Sequence, residues 1–274
     1  MNNINYQDNI TGNSLLHDLL DEENDVKFDI LFYFLNRGAN VNLVDKNKNT
    51  PLHIAFIKYF KESSHFKKIQ FEELILLILK KKADINLKNN FLKTPLQLAT
   101  ENGEINPKMI PLLVECKADP STIDKKGRNF LHIISSNKYI NFHNLNLLFE
   151  SKFDPNLQEN QSKRTPFHYI VENKFLNQEI FNLFIENDSS LLSVDFYKTS
   201  VLHLLAKNAK FNFLKYIENL QVEEDFFSTP NEMGKTLLHI YCSNEHLNKE
   251  TARFLIEKKC DPNEIDDSGR VKKK

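Results

Sequence analysis

A four-residue pattern recurs seven times along the 274 residues of this chain. Each copy begins with Ser, Thr or Asn and ends with His or, once, with Gln. The copies are Ser14–His17, Thr50–His53, Thr94–Gln97, Asn129–His132, Thr165–His168, Ser200–His203 and Thr236–His239. Their last residues are separated by 36, 44, 35, 36, 35 and 36 positions. A period in this range predicts a solenoid, in which stacked units together bury apolar faces that no unit can bury alone.

The residues around the second copy resemble the ankyrin repeat family. The family pattern begins with T-P-L-H-x-A, continues with an apolar stretch and ends with G-A-D-V-N. Here Thr50–Ala55 reads TPLHIA, Glu73–Leu79 reads ELILLIL and Ala83–Asn86 reads ADIN. Seven copies in phase cover nearly the whole chain, so the resemblance is specific.

The resemblance implies an all-α fold, an ankyrin-type α-solenoid of about seven helix-turn-helix repeats with β-hairpin finger loops. We place a single domain over 1–274, with approximate repeats at 9–42, 45–86, 89–121, 124–156, 160–194, 195–230 and 231–263. The stretches 1–8 and 264–274 resemble partial flanking repeats. We therefore expect a fragment of a longer array; the alternative is a complete protein with frayed ends.

Glycine supports the same register. Gly12, Gly127 and Gly234 each precede a copy of the pattern by the same offset, at the finger turn where the family needs a positive φ. Four other repeats have a side chain at this position: Lys48, Leu92, Lys163 and Lys198. We expect those turns to be strained or differently shaped.

The 44-residue step contains about eight extra residues between Phe56 and Glu72. One interpretation is that both helices of this repeat are longer by about a turn. The other is that residues 57–71 form a basic, aromatic protrusion that contacts a partner. We favour the longer helices.

The second helices of the repeats carry dense apolar runs, such as 30–35 and 180–185. This density predicts helices sandwiched between neighbouring repeats. The sixth repeat departs from the pattern, because it has Glu223–Phe227 (EEDFF) where other repeats end in Ala-Asp-x-Asn. We interpret this as degeneration of the ending; a weak joint and an acidic–aromatic contact are the alternatives.

Composition gives no sign of a strongly charged or membrane-spanning protein. The net charge of −1 provides no overall attraction to nucleic acid or to an anionic membrane. Cys116, Cys242 and Cys260 lack metal-ligand spacing, which is typical of reduced thiols. No N-terminal stretch resembles a signal peptide, and no run is long and apolar enough to span a membrane. We expect a cytoplasmic protein that is monomeric as this segment.

The histidines indicate a structural role. Six of the nine end a copy of the pattern: His17, His53, His132, His168, His203 and His239. At this position the resemblance implies hydrogen bonds within the repeat and to its neighbour, which Gln97 can also make. No nucleophile elbow, phosphate-binding loop or His-Glu-x-x-His motif is present. We expect no active site, no metal and no cofactor.

The resemblance also implies where a partner would bind, since ankyrin-like proteins use a concave face of finger tips and first helices. The tip candidates are Lys46, Asn47, Phe91, Lys125, Lys126, Phe196 and Tyr197, and the position before the four-residue pattern adds Lys93, Arg128 and Arg164. The basic members predict a positive stripe that would suit an acidic peptide or domain surface, although Glu172 would dilute it. The aromatic members would anchor a partner if exposed; Phe91 could instead fold back into the core. One extra residue leaves the fifth tip uncertain by one position.

These features predict a non-catalytic protein–protein interaction scaffold that holds a protein or peptide on its concave face, as part of an adaptor or signalling assembly. The alternative is a substrate-selecting array of a larger enzyme or effector whose catalytic domain lies outside this segment. A third hypothesis is direct binding of nucleic acid or anionic lipid through the stripe, the insertion and Lys272–Lys274. The net charge argues against it.

Overall fold

The computed structural model describes residues 4–21, 26–101, 109–137, 140–208, 213–218, 224–243 and 248–269. These ranges contain fifteen helices: α1 Leu15–Asp21, α2 Phe28–Asn36, α3 Pro51–Lys61, α4 His65–Lys80, α5 Pro95–Glu101, α6 Ile110–Glu115, α7 Phe130–Ser135, α8 Phe142–Glu150, α9 Pro166–Glu172, α10 Gln178–Glu186, α11 Val201–Lys207, α12 Phe213–Ile217, α13 Glu224–Ser228, α14 Leu237–Cys242 and α15 Lys249–Glu257. The only strand-like pairs in the same ranges are isolated bridges, Gln7 with Ser14 and Val194 with Ser200. The all-α helix-turn-helix fold is confirmed.

The chain divides into two compact units, residues 1–124 and 125–274. In the first unit, α1, α3 and α5 pack side by side, and so do α2, α4 and α6. In the second unit, α7, α9, α11 and α14 form one row, while α8 packs on α10 and α12 on α15. Each unit is therefore a stack of repeats, with first helices against first helices. The repeat boundaries given above stay a prediction.

Aromatic side chains fill the core of the second unit. The ring of Phe184 lies 4.9 Å from that of Phe167 and 5.1 Å from that of Phe149, and Phe167 and Phe184 are fully buried. These rings come from three helices of two successive repeats. Burial of such side chains is worth roughly 1.5–3 kcal/mol each, so neighbouring repeats stabilise one another.

The insertion lengthens both helices of the second repeat, which confirms the favoured interpretation. Helix α3 has 11 residues and α4 has 16, whereas α9 and α10 of the fifth repeat have 7 and 9. The hydroxyl of Tyr59 donates to Glu72 Oε1 at 2.9 Å and so links α3 to α4. The added residues thus continue helices and do not form a loop.

Each finger is a tight hairpin closed by backbone hydrogen bonds. Asp45 N donates to Asn49 O, Lys48 N donates to Asp45 O, and Asp45 Oδ1 accepts from the N–H groups of Asn47 and Asn49. The turn residue has a positive φ even where it is not glycine, namely Lys48 (59°), Leu92 (57°), Lys163 (59°) and Lys198 (55°). The expected strain is therefore present.

Glycine is retained at a finger turn where a side chain would also collide. A Cβ built on Gly127 would lie 2.6 Å from Asn160 Oδ1 of the next finger, so this position cannot take Lys without a shift. Five further residues with positive φ were not anticipated from the sequence. They follow the second helices: Lys82, Lys117, Lys152, Asp188 and Lys259. They occupy the left-handed position after the helix that glycine usually fills, as Gly38 does here.

The sixth repeat ends in a helix instead of an extended segment. Residues 219–223, including Glu223, lie outside the described residues, and α13 follows at Glu224–Ser228. Phe227 is 1% exposed, its ring lies 5.8 Å from that of Phe254, and its carbonyl accepts from Cys260 Sγ at 3.0 Å. The aromatic part of this segment thus packs against the seventh repeat.

Candidate functional site

The terminal histidine of each pattern joins its own repeat to the next one. In the second repeat, Thr50 donates its backbone N–H to His53 Nδ1 at 3.0 Å, and Thr50 Oγ1 lies 2.8 Å from the same nitrogen. Because Nδ1 accepts, the ring carries its proton on Nε2, which donates to Lys93 O at 3.0 Å. The same side chain therefore caps a helix and bonds to the following finger.

This arrangement repeats through both units. The other Nε2-to-carbonyl distances are 2.9 Å for His17 to Asn49, 3.1 Å for His132 to Arg164, 3.3 Å for His168 to Thr199 and 3.0 Å for His239 to Glu264. Gln97 makes both kinds of contact. Its Oε1 accepts from Thr94 N at 2.7 Å, which caps the helix, and its Nε2 donates to Ile123 O of the next repeat. The structural role expected for these side chains accounts for all of these contacts.

Burial keeps four of these histidines neutral. It lowers the pKa values of His17 and His53, and it lowers those of His168 and His203 to about 4. Protonation would also remove the Nδ1 acceptor that holds the helix cap. The rings are therefore unsuited to proton transfer near neutral pH.

His203 is the exception at the joint between the sixth and seventh repeats. Its Nδ1 accepts from Ser200 N at 3.2 Å, but its buried Nε2 has no hydrogen-bond partner among the described residues. The carbonyls of Thr229 and Lys235 oppose the lowering of its pKa, yet neither has hydrogen-bond geometry to Nε2. This joint thus lacks a contact that the other histidines make.

The finger tips of each unit form a row joined by backbone hydrogen bonds. In the first unit these are Lys46 N to Thr11 O at 2.9 Å and Asn90 N to Asn47 O at 2.8 Å; in the second they are Asn160 N to Lys126 O at 2.7 Å, Phe196 N to Ser162 O at 2.7 Å, Glu232 N to Tyr197 O at 2.9 Å and Asp267 N to Met233 O at 3.2 Å. In the fifth finger the donor is Asn160 and the acceptor is Ser162. Gln161 is therefore the extra residue.

The tip candidates are exposed, as a contact surface requires. Phe91, Phe196 and Tyr197 are 75%, 61% and 55% exposed, so Phe91 does not fold into the core. Lys46, Asn47, Lys125 and Lys126 are exposed as well, whereas Lys93, Arg128 and Arg164 are half-buried. The first unit thus presents Lys46, Asn47, Phe91 and Lys93, and the second presents the other six.

Arg164 makes several contacts within its own unit. Its Nη1 lies 2.7 Å from Glu172 Oε2, its Nε lies 3.7 Å from Asp195 Oδ2, and its guanidinium lies 5.9 Å from the centre of the Tyr169 ring. Glu172 reduces the positive potential here, as the sequence suggested. Lys125 and Lys126 are the more exposed cations, whereas Arg164 is half-buried.

Met233, a further tip residue by the repeat register, is 56% exposed, and Lys163, which the sequence adds to the positive stripe, is exposed at its turn. Sequence reasoning missed two exposed residues beside the tips, Leu92 (75% exposed) and Lys198. A non-glycine residue at the turn position was the available signal, because a left-handed residue directs its side chain away from the hairpin.

No group of three or more His, Cys, Asp or Glu residues within the described ranges could hold a metal ion. Cys116 and Cys242 are half-buried and Cys260 is buried, each as a free thiol, and burial raises the pKa of the Cys116 thiol.

None of the helices in the described ranges has the length and apolar character needed to cross a bilayer.

Comparison with protein families finds ankyrin repeats in two parts of the chain. A model of ankyrin repeats in three copies matches residues 63–159, and a single ankyrin repeat matches residues 233–267. The first match begins just before α4, the second helix of the lengthened repeat, and the second match covers α14 and α15 of the seventh repeat.

Two curated proteins share parts of the sequence. An ankyrin repeat protein of Rickettsia felis is 34% identical over 116 residues, which is 42% of this chain and 48% of that protein. Alpha-latroinsectotoxin-Lt1a of Latrodectus tredecimguttatus is 40% identical over 78 residues, 28% of this chain and 5% of the toxin. The chain thus spans less than half the length of either relative.

Proposed function

Since this chain belongs to the ankyrin repeat family, whose repeats mediate protein–protein interaction, we propose that it is a non-catalytic scaffold that holds a protein or peptide along its finger tips. We place this role in the cytoplasm, in an adaptor or signalling assembly. The three cysteines are free thiols, in keeping with a reducing compartment.

The finger row of the second unit carries this proposal. We call it the tip row and define it by Lys125, Lys126, Phe196, Tyr197 and Met233. The hydrogen bonds between successive fingers hold it in order. Its beginning is basic, and its end carries apolar side chains beside the exposed Lys198 and Glu232. The Phe196 and Tyr197 rings lie 5.4 Å apart in an edge-to-face arrangement. Aromatic pairs of this kind are frequent anchors at interfaces.

The tip row therefore fits a partner segment with carboxylates followed by apolar side chains. Lys125 and Lys126, on the fourth finger, would attract the acidic part of the partner and raise the rate of association. The aromatic pair would bury the apolar part, which is worth more than an exposed ion pair.

The test is a pull-down from host-cell lysate with the full chain as bait, in which mass spectrometry identifies the retained proteins. Baits are the wild type, Lys125→Glu/Lys126→Glu, Phe196→Ser/Tyr197→Ser, and a matched control, Lys80→Glu/Lys81→Glu, whose exposed lysines end α4 of the other unit. We expect the wild type and control to retain the same protein and both tip variants to lose it, by at least about tenfold for the aromatic pair. Equal retention by all four baits contradicts the tip row as the site.

Nucleic acid or lipid binding gives a different result. In that case the lysine variant alone loses binding, and retention falls steeply with salt in the absence of any protein partner.

A further inference from the structure

Arg164 lies between two carboxylates that belong to different repeats. Its Nη1 is 2.7 Å from Glu172 Oε2 of α9, and its Nε is 3.7 Å from Asp195 Oδ2 of the sixth finger. The first distance is that of a charged hydrogen bond, and the second is that of an ion pair without one. Only 25% of the arginine side chain is exposed. A partner carboxylate would therefore have to displace a carboxylate of this chain to reach the guanidinium.

Asp195 closes the hairpin of the sixth finger. Its Oδ1 accepts from the N–H groups of Tyr197 and Thr199, both at 2.9 Å. Its backbone N–H donates to Thr199 O, and its carbonyl accepts from Lys198 N. Phe196 and Tyr197, the two aromatic residues of the tip row, lie inside this closed hairpin. Their orientation therefore depends on how firmly Asp195 is held.

The carboxylate of Asp195 needs a cation where it lies. Its side chain is only 3% exposed. Burial of a carboxylate is costly unless hydrogen bonds and an opposite charge replace the lost water. Oδ1 has its two N–H donors, and the one ion pair that the described residues give to Asp195 is with Arg164. The arginine thus balances the charge of the residue that closes the hairpin.

The second finger solves the same problem without an arginine. Asp45 Oδ1 also accepts from two backbone N–H groups, and Asp45 Oδ2 accepts from Asn49 Nδ2 at 3.2 Å. Asn49 belongs to the same finger, at the position just before the four-residue pattern. In the sixth finger this position is Thr199. The group that faces Oδ2 there comes from the preceding finger, as Arg164.

The third and seventh fingers close with an uncharged residue. Asn89 Oδ1 accepts from the N–H groups of residues 91 and 93, and Asn231 Oδ1 accepts from those of residues 233 and 235, at 3.0–3.1 Å. An asparagine therefore makes the same two hydrogen bonds as Asp195 and brings no buried charge. A finger of that kind needs no cation.

We propose that Arg164 is a positioning residue, which fixes the hairpin that presents Phe196 and Tyr197 by pairing with Asp195 and does not itself bind the partner. This inference rests on the proposed function, and it replaces the expectation that Arg164 contacts a partner carboxylate. Aromatic side chains that are already held in their binding orientation lose less conformational entropy when a partner binds. Releasing the hairpin therefore weakens binding although every contact residue of the tip row is still present.

The test compares the full-length wild type with Arg164→Gln, Arg164→Lys and the double variant Arg164→Gln/Asp195→Asn. The first leaves the buried carboxylate without its cation, and the second keeps the positive charge. The double variant removes both charges and keeps the Oδ1 acceptor, as in the third and seventh fingers. The matched control is Arg37→Gln, the same substitution at an exposed arginine that ends α2. Since opening of one finger is local, melting temperatures from circular dichroism should agree within about 3 °C.

Amide hydrogen exchange measured by NMR reports on the hairpin in the absence of any partner. In Arg164→Gln, the amides of Tyr197 and Thr199 should exchange at least about tenfold faster than in the wild type. Those of Asn47 and Asn49 should be unchanged, because no arginine holds the second finger. Arg164→Lys should give intermediate rates, and the double variant should return to within about twofold of the wild type.

Binding is measured by a pull-down from host-cell lysate, with the retained protein quantified by mass spectrometry. Retention should fall at least about fivefold in Arg164→Gln, and less in Arg164→Lys. The double variant should retain as much protein as the wild type within about twofold, and so should Arg37→Gln. A direct contact between Arg164 and the partner predicts the opposite for the double variant, since the arginine is still missing.

The proposal is overturned if Arg164→Gln leaves exchange at Tyr197 and Thr199 unchanged. It is also overturned if the double variant recovers slow exchange but not retention, because Arg164 would then contact the partner. A lower melting temperature with faster exchange throughout the second unit would make Arg164 a general stabilising residue, and would equally overturn it. If the wild-type bait retains no protein, the proposed function fails, and the exchange rates still decide whether Arg164 holds the hairpin.

Discussion

Two joints in the second unit use the same four-residue pattern but differ in how completely they are bonded. Between the fourth and fifth repeats, His132 Nε2 donates to Arg164 O at 3.1 Å, and Asn156 clamps the fifth repeat by donating to Asp188 O and accepting from Ser190 N, both at 2.8 Å. Between the sixth and seventh repeats, His203 Nε2 has no hydrogen-bond partner in the described residues, and helix α13 replaces the segment that would carry the asparagine.

The comparison shows that the pattern caps a helix whether or not the joint is complete. Ser200 and His203 form the same capping contacts as Thr50 and His53. What differs is the ending, since Phe227 provides apolar contact with Phe254 where the other joint has hydrogen bonds. Both joints retain the hydrogen bond between finger tips.

The largest expected difference comes from removing the two histidines. His132→Ala should lower the free energy of unfolding by about 3 kcal/mol, because it leaves the Asn129 N–H and the Arg164 carbonyl without these partners. His203→Ala should cost about 2 kcal/mol, because only the cap is lost. Native-state hydrogen exchange at the amides of α7 and α11 measures both. Equal losses would mean that the bond from His132 to the next finger contributes little.

Acid should affect a bonded and an unbonded joint equally. Burial lowers the pKa of both His168 and His203 to about 4, below the ordinary value of 6.5. The unfolded chain therefore binds more protons than the folded one between these values. The free energy of unfolding is therefore highest above about pH 6.5 and falls as the pH drops toward 4. At pH 5 each histidine should have lowered it by about 2 kcal/mol.

Replacing His168 by glutamine distinguishes the contribution of its hydrogen bonds from the effect of its protonation. His168→Gln keeps both bonds, as Gln97 does, but does not take up a proton. Denaturant unfolding at pH 7 and pH 5 should show about 2 kcal/mol less acid destabilisation than in the wild type. An unchanged pH dependence would show that burial of His168 is not responsible.

The smallest effect should be the same at the turns of the fifth and sixth fingers. Lys163 and Lys198 have φ values of 59° and 55° at their finger turns. Replacing either by glycine should raise the free energy of unfolding by about 1 kcal/mol, because a side chain is strained in the left-handed region. Lys125→Gly is the control, since its φ is not positive, and it should be slightly destabilising. Thermal melts of the three variants compare them directly, and a loss of stability in Lys198→Gly would contradict the strain argument.

Periodicity predicted the repeats, and the resemblance to ankyrin repeats predicted the hydrogen-bonding histidines and the left-handed finger turns, because the residues that carry the resemblance lie close together in the sequence. The exposure of α2 was not predicted correctly. Its apolar run suggested a helix sandwiched between repeats, yet Ile30 and Tyr33 are exposed. A run of apolar residues shows that one face is buried but not how much of the opposite face is covered.

For the binding candidates, too, the repeat register predicted positions but not side-chain contacts. Phe196, Tyr197, Lys125 and Lys126 were predicted as tips and lie exposed at tips, since their position follows from the repeat register. The ion pair of Arg164 with Glu172 could only be suspected, because it depends on the orientation of both side chains.

By itself, the sequence determined the period of the repeat and, through its resemblance to ankyrin repeats, the hydrogen-bonding role of the histidines, because a recurring local pattern can be recognised without knowledge of distant contacts. The tertiary structure decided at which joint the histidine Nε2 has no hydrogen-bond partner among the described residues, that Arg164 pairs with Glu172, and that Ile30 and Tyr33 of α2 are exposed. Those properties depend on how residues far apart in the chain meet, and repeat spacing carries no information about such contacts.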